Sequence, residues 1–144
     1  MTYQREPVER KLSALAGYVA ELRPLCRIDL ATYQRQGTVR RAVERLLQLC
    51  AESAADACAA LLAAGGRPPA THLRAQFTAA AELGAIPEDL AARLGLAAGL
   101  RDRIVHDCDR LDDQLVWAAA RAAVVDFPAF IAALAAYLAR HDLS

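Results

Sequence analysis

Apolar residues in this chain of 144 recur three and four positions apart, the periodicity of helices buried along one side. Val8, Leu12, Leu15, Val19 and Leu22 set the pattern. Val39, Val43, Leu46, Cys50, Ala54, Ala57 and Leu61 repeat it. Leu73, Phe77 and Ala80 carry a third stretch. Leu115, Ala119 and Ala122, then Phe127, Phe130, Ile131, Leu134 and Leu138, supply the faces of the last. No strand-like alternation competes, so the expected class is all-α.

Helix breakers divide these stretches. Pro7 suits the first position of helix one, and Pro24 stops it. Asp29 is expected to cap a short turn through Tyr33, with Gly37 closing the link and Thr38 capping the second long helix. Gly65-Gly66 ends that helix, and Arg67-Pro68-Pro69 is a stiff connector. Thr71 is expected to start a third helix that stops at Gly84. Pro87 opens a helix predicted over Pro87–Asp107, with Glu88 and Asp89 placed to complement its N-terminus. The last helix is predicted from about Asp113 to His141, with a kink or break near Asp126 because Pro128 lacks a backbone donor. No repeat or low-complexity linker divides the chain, so residues 1–144 read as one domain with its own core.

Composition limits the function classes. Lys+Arg and Asp+Glu both number 17, a balance that excludes non-specific coating of nucleic acid and makes any RNA grip local. Arg40, Arg41 and Arg45 read as a solvated face, with an RNA-guiding patch the lesser alternative. Cys26, Cys50, Cys58 and Cys108 form no CxxC pair and no zinc spacing. They are expected to be reduced, small apolar residues, Cys50 in the core and Cys58 on a helix surface or interface. No signal peptide is evident and charges or Gly break the long apolar runs, so no membrane span and a cytoplasmic location are expected.

Chemistry concentrates in Leu100–Asp113, LRDRIVHDCDRLDD. At about 100° per residue, Arg101 and Cys108 share one side of a helix, and Asp102 and His106 are neighbours at i and i+4. Asp102 could then accept a hydrogen bond from His106, fix its tautomer and favour its charged form. Arg101 can grip a phosphate and His106 can move a proton near neutral pH. Spacing alone favours an ion-pair and hydrogen-bond network at a helix end, with no chemistry. Ala91, Gly95, Ala98 and Gly99 make a smooth strip leading to Asp102 and His106, from which a helix-to-helix contact between two subunits is expected. Asp107, Asp109, Asp112 and Asp113 offer oxygen ligands, but helix capping explains Asp112 or Asp113 better, and no metal is expected. His72 is expected to be an exposed surface residue, and Trp117 to pack in the core rather than stack on a base.

These residues resemble the signature of the HEPN superfamily and, within it, the HepT-like toxins of bacterial toxin–antitoxin pairs. In that signature an Arg and a polar residue precede His by five and four positions, and Tyr follows His by two. Arg101, Asp102, Ile104, Val105, His106, Leu111 and Asp112 fall in the matching places. Thr38–Leu49 is similar to the family's second-helix segment, and Phe77–Leu90 to its Phe-containing helix, Gly turn and Ile-Pro-Glu restart. The resemblance implies a HEPN-type antiparallel bundle of four to five helices that forms a homodimer. It also implies a toxin of a type VII-like pair: a metal-independent endoribonuclease using Arg101, Asp102 and His106, without a cofactor, acting on RNA. Its partner would be a minimal nucleotidyltransferase antitoxin. Cys108 stands where the family carries the Tyr that such a partner modifies with AMP. A catalytically silent helical subunit binding a nucleotidyltransferase or a nucleotide is the alternative.

Overall fold

The computed structural model describes residues 5–106 and 111–141. Among them run six helices: α1 (Arg5–Leu25), α2 (Leu30–Arg35), α3 (Gly37–Ala64), α4 (Leu73–Glu82), α5 (Glu88–His106) and α6 (Asp113–His141). The all-α expectation holds. The sixth element is the short α2, capped by Asp29, whose Oδ1 accepts from the Thr32 amide at 2.7 Å.

The central helix is α3, which packs against all five others. Its early turns bury one stripe, Val43, Leu46, Leu47 and Cys50. From Ala51 onward it is covered nearly all round, which corrects the expectation for Cys58: that thiol is fully buried. Loss of water pushes the Cys50 thiol up to about 12 and raises Cys58 as well, so both stay protonated and inert at neutral pH. The predicted α1 stripe, Val8 to Leu22, is buried in full. Phe77 of α4 meets Phe130 of α6 edge to face, centroids 6.0 Å apart.

Two helix ends follow directly from glycine. Gly66 and Gly84 take φ of 75° and 86°, a left-handed conformation that closes a helix without a Cβ clash. The Arg67 amide donates back to Leu62 O at 2.8 Å and the Ala85 amide to Ala80 O at 2.9 Å. The five residues from Leu83 to Pro87 then turn α5 back along α4 as an antiparallel neighbour.

Several boundaries differ from expectation. Gln36, not Thr38, occupies the cap of α3, without a side-chain cap bond, and α4 begins at Leu73 behind His72. Pro24 lies inside the last turn of α1, so the one intrahelical bond lost with its amide falls where the helix ends, at Leu25. No break occurs at Pro128: α6 is one helix, with Phe127 and Phe130 both fully buried on either side of the proline. The inward face of the first half of α6 is Val116, Ala120 and Ala123, one position on from the predicted face, which leaves Leu115 and Ala122 outside. α3 and α6 are also long and apolar enough to cross a membrane by length and composition, with mean hydropathies of 1.4 and 1.9. Both contribute to the core here, α3 burying most of its apolar stretch and α6 a third of its own.

Candidate active site

Arg101 and His106 occupy the last two turns of α5. Leu100 and Ile104, both buried, fasten these turns to the core and fix which way the polar residues point. Arg101 reaches across to α3. Its Nε and Nη2 both donate to Oε1 of Glu52, at 3.2 and 2.8 Å, and its Nη1 donates to Oδ1 of Asp102 at 3.1 Å. Gln48, one turn before Glu52, donates its amide to the same Glu52 oxygen at 3.1 Å. The two ion-paired side chains retain 25% and 29% of their exposure, so solvent still reaches the guanidinium.

Charge and burial compete at this pair. Burial alone would raise the Glu52 carboxyl, but hydrogen bonds from Arg101 and Gln48, with the nearby Arg45 charge, hold it below the usual range. Glu52 in turn raises Arg101, which stays a cation at any working pH. His106 is exposed and ends α5. The Asp102 hydrogen bond found among the described residues comes from Arg101, where one from His106 was expected. Cys108 lies outside the described residues, as do Asp107 and Asp109. Asp112 caps α6, its Oδ1 accepting from the Gln114 amide at 2.9 Å, and Asp113 pairs with Arg40 at 3.9 Å.

Beside Arg101 and Asp102 opens a cleft of about 330 Å³, walled by Asp56 of α3 and by His72, Leu73 and Gln76 at the start of α4. Gln76 closes a pair of hydrogen bonds with the Ala70 backbone, at 3.0 and 3.3 Å, and so fixes the chain entering α4. His72 is exposed as expected, but at the mouth of this cleft rather than on a remote face. Trp117 donates its indole N–H to Ile28 O at 2.9 Å, and Arg121 covers its ring at 4.7 Å. That face is therefore taken by a side chain of the same subunit.

The small-residue strip has a different occupant from the one expected. Ala91, Gly95 and Ala98 are buried within the chain's own fold, and Arg74 of α4 lies across Gly95 and Gly99. Arg74 donates twice to Gly95 O, at 3.2 and 3.0 Å. A Cβ at Gly95 or Gly99 would stand 3.4 or 3.3 Å from the Arg74 side chain. The strip that was read as a subunit contact seats α4, because α4 returns antiparallel along that side of α5.

Sequence reasoning overlooked Glu52. Its signal was available: Glu52 and Asp56 are the two charges between Cys50 and Leu62, and a carboxylate on so apolar a helix calls for a partner.

The family description "ribonuclease HepT-like" matches residues 15–134, which include Glu52, Arg101 and His106. A tRNA nuclease HepT of Aphanizomenon flos-aquae is 29% identical over 138 residues, 92% of each chain. Among solved structures, the tri-AMPylated Shewanella oneidensis HEPN toxin in complex with MNT antitoxin superposes with a TM-score of 0.83 at 22% identity, over 92% of this chain and 99% of that one. YutE of Bacillus subtilis, a cytosolic protein of unknown function, superposes equally well, TM-score 0.83, at 15% identity over 98% and 95% of the two chains. At these identities the two likenesses establish the fold.

Proposed function

The chain belongs to the ribonuclease HepT-like family, and from that premise we propose that it is the toxin of a two-gene pair: a metal-independent endoribonuclease that works as a homodimer. The observation that carries the reading is the placement of Arg101 and His106 on the last two turns of α5, inside the matched region and both reached by solvent.

The chemistry follows from the side chains. The RNA 2′-hydroxyl attacks the adjacent phosphorus while an imidazole takes its proton. Negative charge grows on the phosphorane oxygens, where the Arg101 guanidinium stabilises it. A second imidazole returns a proton to the departing 5′-oxygen, leaving a cyclic phosphate and a free 5′-hydroxyl. With His106 as the imidazole assigned to the chemistry, the base and acid roles divide between the His106 of two subunits. Asp102, one turn before His106, would orient it through Oδ2, while Oδ1 keeps its bond from Arg101.

Helix geometry supports the same division. Residues five apart on an α-helix point about 140° from one another, so one α5 turns Arg101 toward α3 and His106 elsewhere. An open apolar groove of about 490 Å³ runs between α5 and α6, lined by Leu96, Leu100, Leu115 and Ala119 among others. Leu96 and Leu115, 70% and 44% exposed, carry this apolar lining out to the surface. Along α5 the groove is lined by Leu96, Leu100 and Arg103, and His106 follows one turn later at the end of the helix. A second copy seated there would gather two His106 side chains at one end of the contact.

The cognate partner would be a minimal nucleotidyltransferase antitoxin, as the MNT-bound Shewanella toxin suggests. That relative is AMPylated; a Cys at position 108 denies this chain the family's usual acceptor hydroxyl. A catalytically silent, partner-binding subunit is the second reading, favoured by the engagement of Arg101 with Glu52 and Asp102.

The deciding experiment is cleavage of RNA by the purified protein in EDTA. Wild type should produce 5′-hydroxyl and cyclic-phosphate ends, and His106→Ala should lose at least about 100-fold in rate, within the range of general acid–base contributions. Equal activity of the two proteins would remove His106 from the chemistry, and intact RNA with both would select the silent subunit.

A further inference from the structure

Glu52 holds the most informative polar contact that the proposed chemistry leaves unexplained. It sits on the central helix between Ala51 and Ser53, both buried, so its backbone is anchored in the core. Gln48 pins its Oε1 from one turn earlier, and that same oxygen takes two N–H groups of Arg101 from α5. Asp102 also holds Arg101, but from the neighbouring position on the same helix. Among the described residues, the Glu52 contact is the one that refers the guanidinium to another element.

Resting on the ribonuclease reading, we propose that Glu52 is a positioning residue, fixing the Nε edge of Arg101 so that its remaining N–H groups meet the scissile phosphate in one orientation. A guanidinium has five N–H donors. Contacts among the described residues engage three, at Nε, Nη2 and Nη1, and the second N–H of each terminal nitrogen is the one that the phosphate would meet. An unheld arginine must freeze several torsions as the phosphorane forms, whereas one already gripped along its edge has met that cost on folding.

This role predicts a split that a merely structural ion pair does not. Glu52 adds negative charge beside the phosphate site, so its removal makes the site more cationic and cannot weaken electrostatic attraction for RNA. Glu52→Ala should therefore lower kcat by about ten-fold or more, with KM unchanged or reduced. In an Arg101→Ala background the same substitution should have almost no further effect on kcat, because the group it positions is gone. Glu52→Gln, which keeps an acceptor oxygen and the side-chain shape, should recover part of the loss.

The experiment is steady-state RNA cleavage by the four proteins Glu52→Ala, Glu52→Gln, Arg101→Ala and the Glu52→Ala/Arg101→Ala double variant beside wild type, each with a thermal melt. If Glu52→Ala fails to fold, Glu52→Gln carries the kcat and KM comparison, with about a three-fold or greater fall in kcat expected. An unchanged kcat in a folded Glu52 variant overturns the proposal, as does a raised KM at constant kcat or an undiminished effect without Arg101. A wild type that cleaves no RNA overturns the ribonuclease reading itself. A wild type that cleaves beside unaffected Glu52 variants overturns the positioning role alone.

Discussion

At residue scale, Glu52 makes the Arg101 site sensitive to acid in a defined direction. Its folded carboxyl is held below the ordinary 4.5 because the Arg101 and Gln48 hydrogen bonds and the Arg45 charge outweigh burial. A depressed carboxylate stabilises the fold fully above its unfolded value, and that stabilisation is lost as pH falls through the folded one. Both partners are partly exposed, so salt and solvent limit the contribution to at most about 1 kcal/mol. Glu52→Gln should thus melt slightly below wild type at pH 7, and the gap should close below about pH 4, under the reference carboxylate value. Melting curves of both proteins from pH 8 to pH 3 decide it; a gap that persists at pH 3 would show that charge is not its source.

At the scale of helices, Arg74 and Gly95 form a clasp that ties α4 to α5. Its two hydrogen bonds run from a cation to one carbonyl oxygen, and each glycine leaves room for the side chain. Arg74→Ala should cost about 1–2 kcal/mol, discounted from the buried charged value because solvent reaches it. Gly95→Leu should cost a similar amount by displacing Arg74, despite the gain of about 0.8 kcal/mol expected when a better helix former replaces glycine. The two losses should not add in the double variant, because both open one contact. Denaturant midpoints test this, and sedimentation adds a second reading. If the clasp is internal, as the buried strip indicates, both variants keep the oligomeric state of wild type.

The clasp also marks where sequence reading stops. Periodicity located the α1 stripe, both glycine-ended helices and the chain span of α5, because each is written in neighbouring residues. It placed Gly95, Ala98 and Gly99 on one side of α5 but could not say what lies opposite. In a chain where Ala lines every face, a side meant for a subunit and a side meant for α4 look alike. The burial of Cys58 escaped for the same reason, since covering α3 all round depends on five other helices. Arg101 and His106 were legible as a spacing. The hold of Glu52 on Arg101 spans 49 positions and needed the fold.

At the scale of the whole molecule, the question is how one phosphate meets groups that a single helix directs apart. Arg101 faces the core helix through Glu52, while His106 ends α5 one turn beyond Arg103, the last residue of that helix to line the α5–α6 groove. If that groove receives a second copy, then breaking the contact should abolish cleavage without touching any group that meets RNA. Leu96 and Leu115 suit the test because both are exposed in one subunit, so a charge there costs little in the isolated fold. In the apposed state the same charge would be stripped of water with no partner, at a cost of several kcal/mol. Leu96→Asp and Leu115→Asp should therefore melt within about 0.5 kcal/mol of wild type when dilute. They should sediment as monomers where wild type is a dimer, and lose cleavage in parallel with dimer content. A variant that stays dimeric and active would move the subunit contact to another face. One that is monomeric yet fully active would show that a single chain brings both groups to the phosphate.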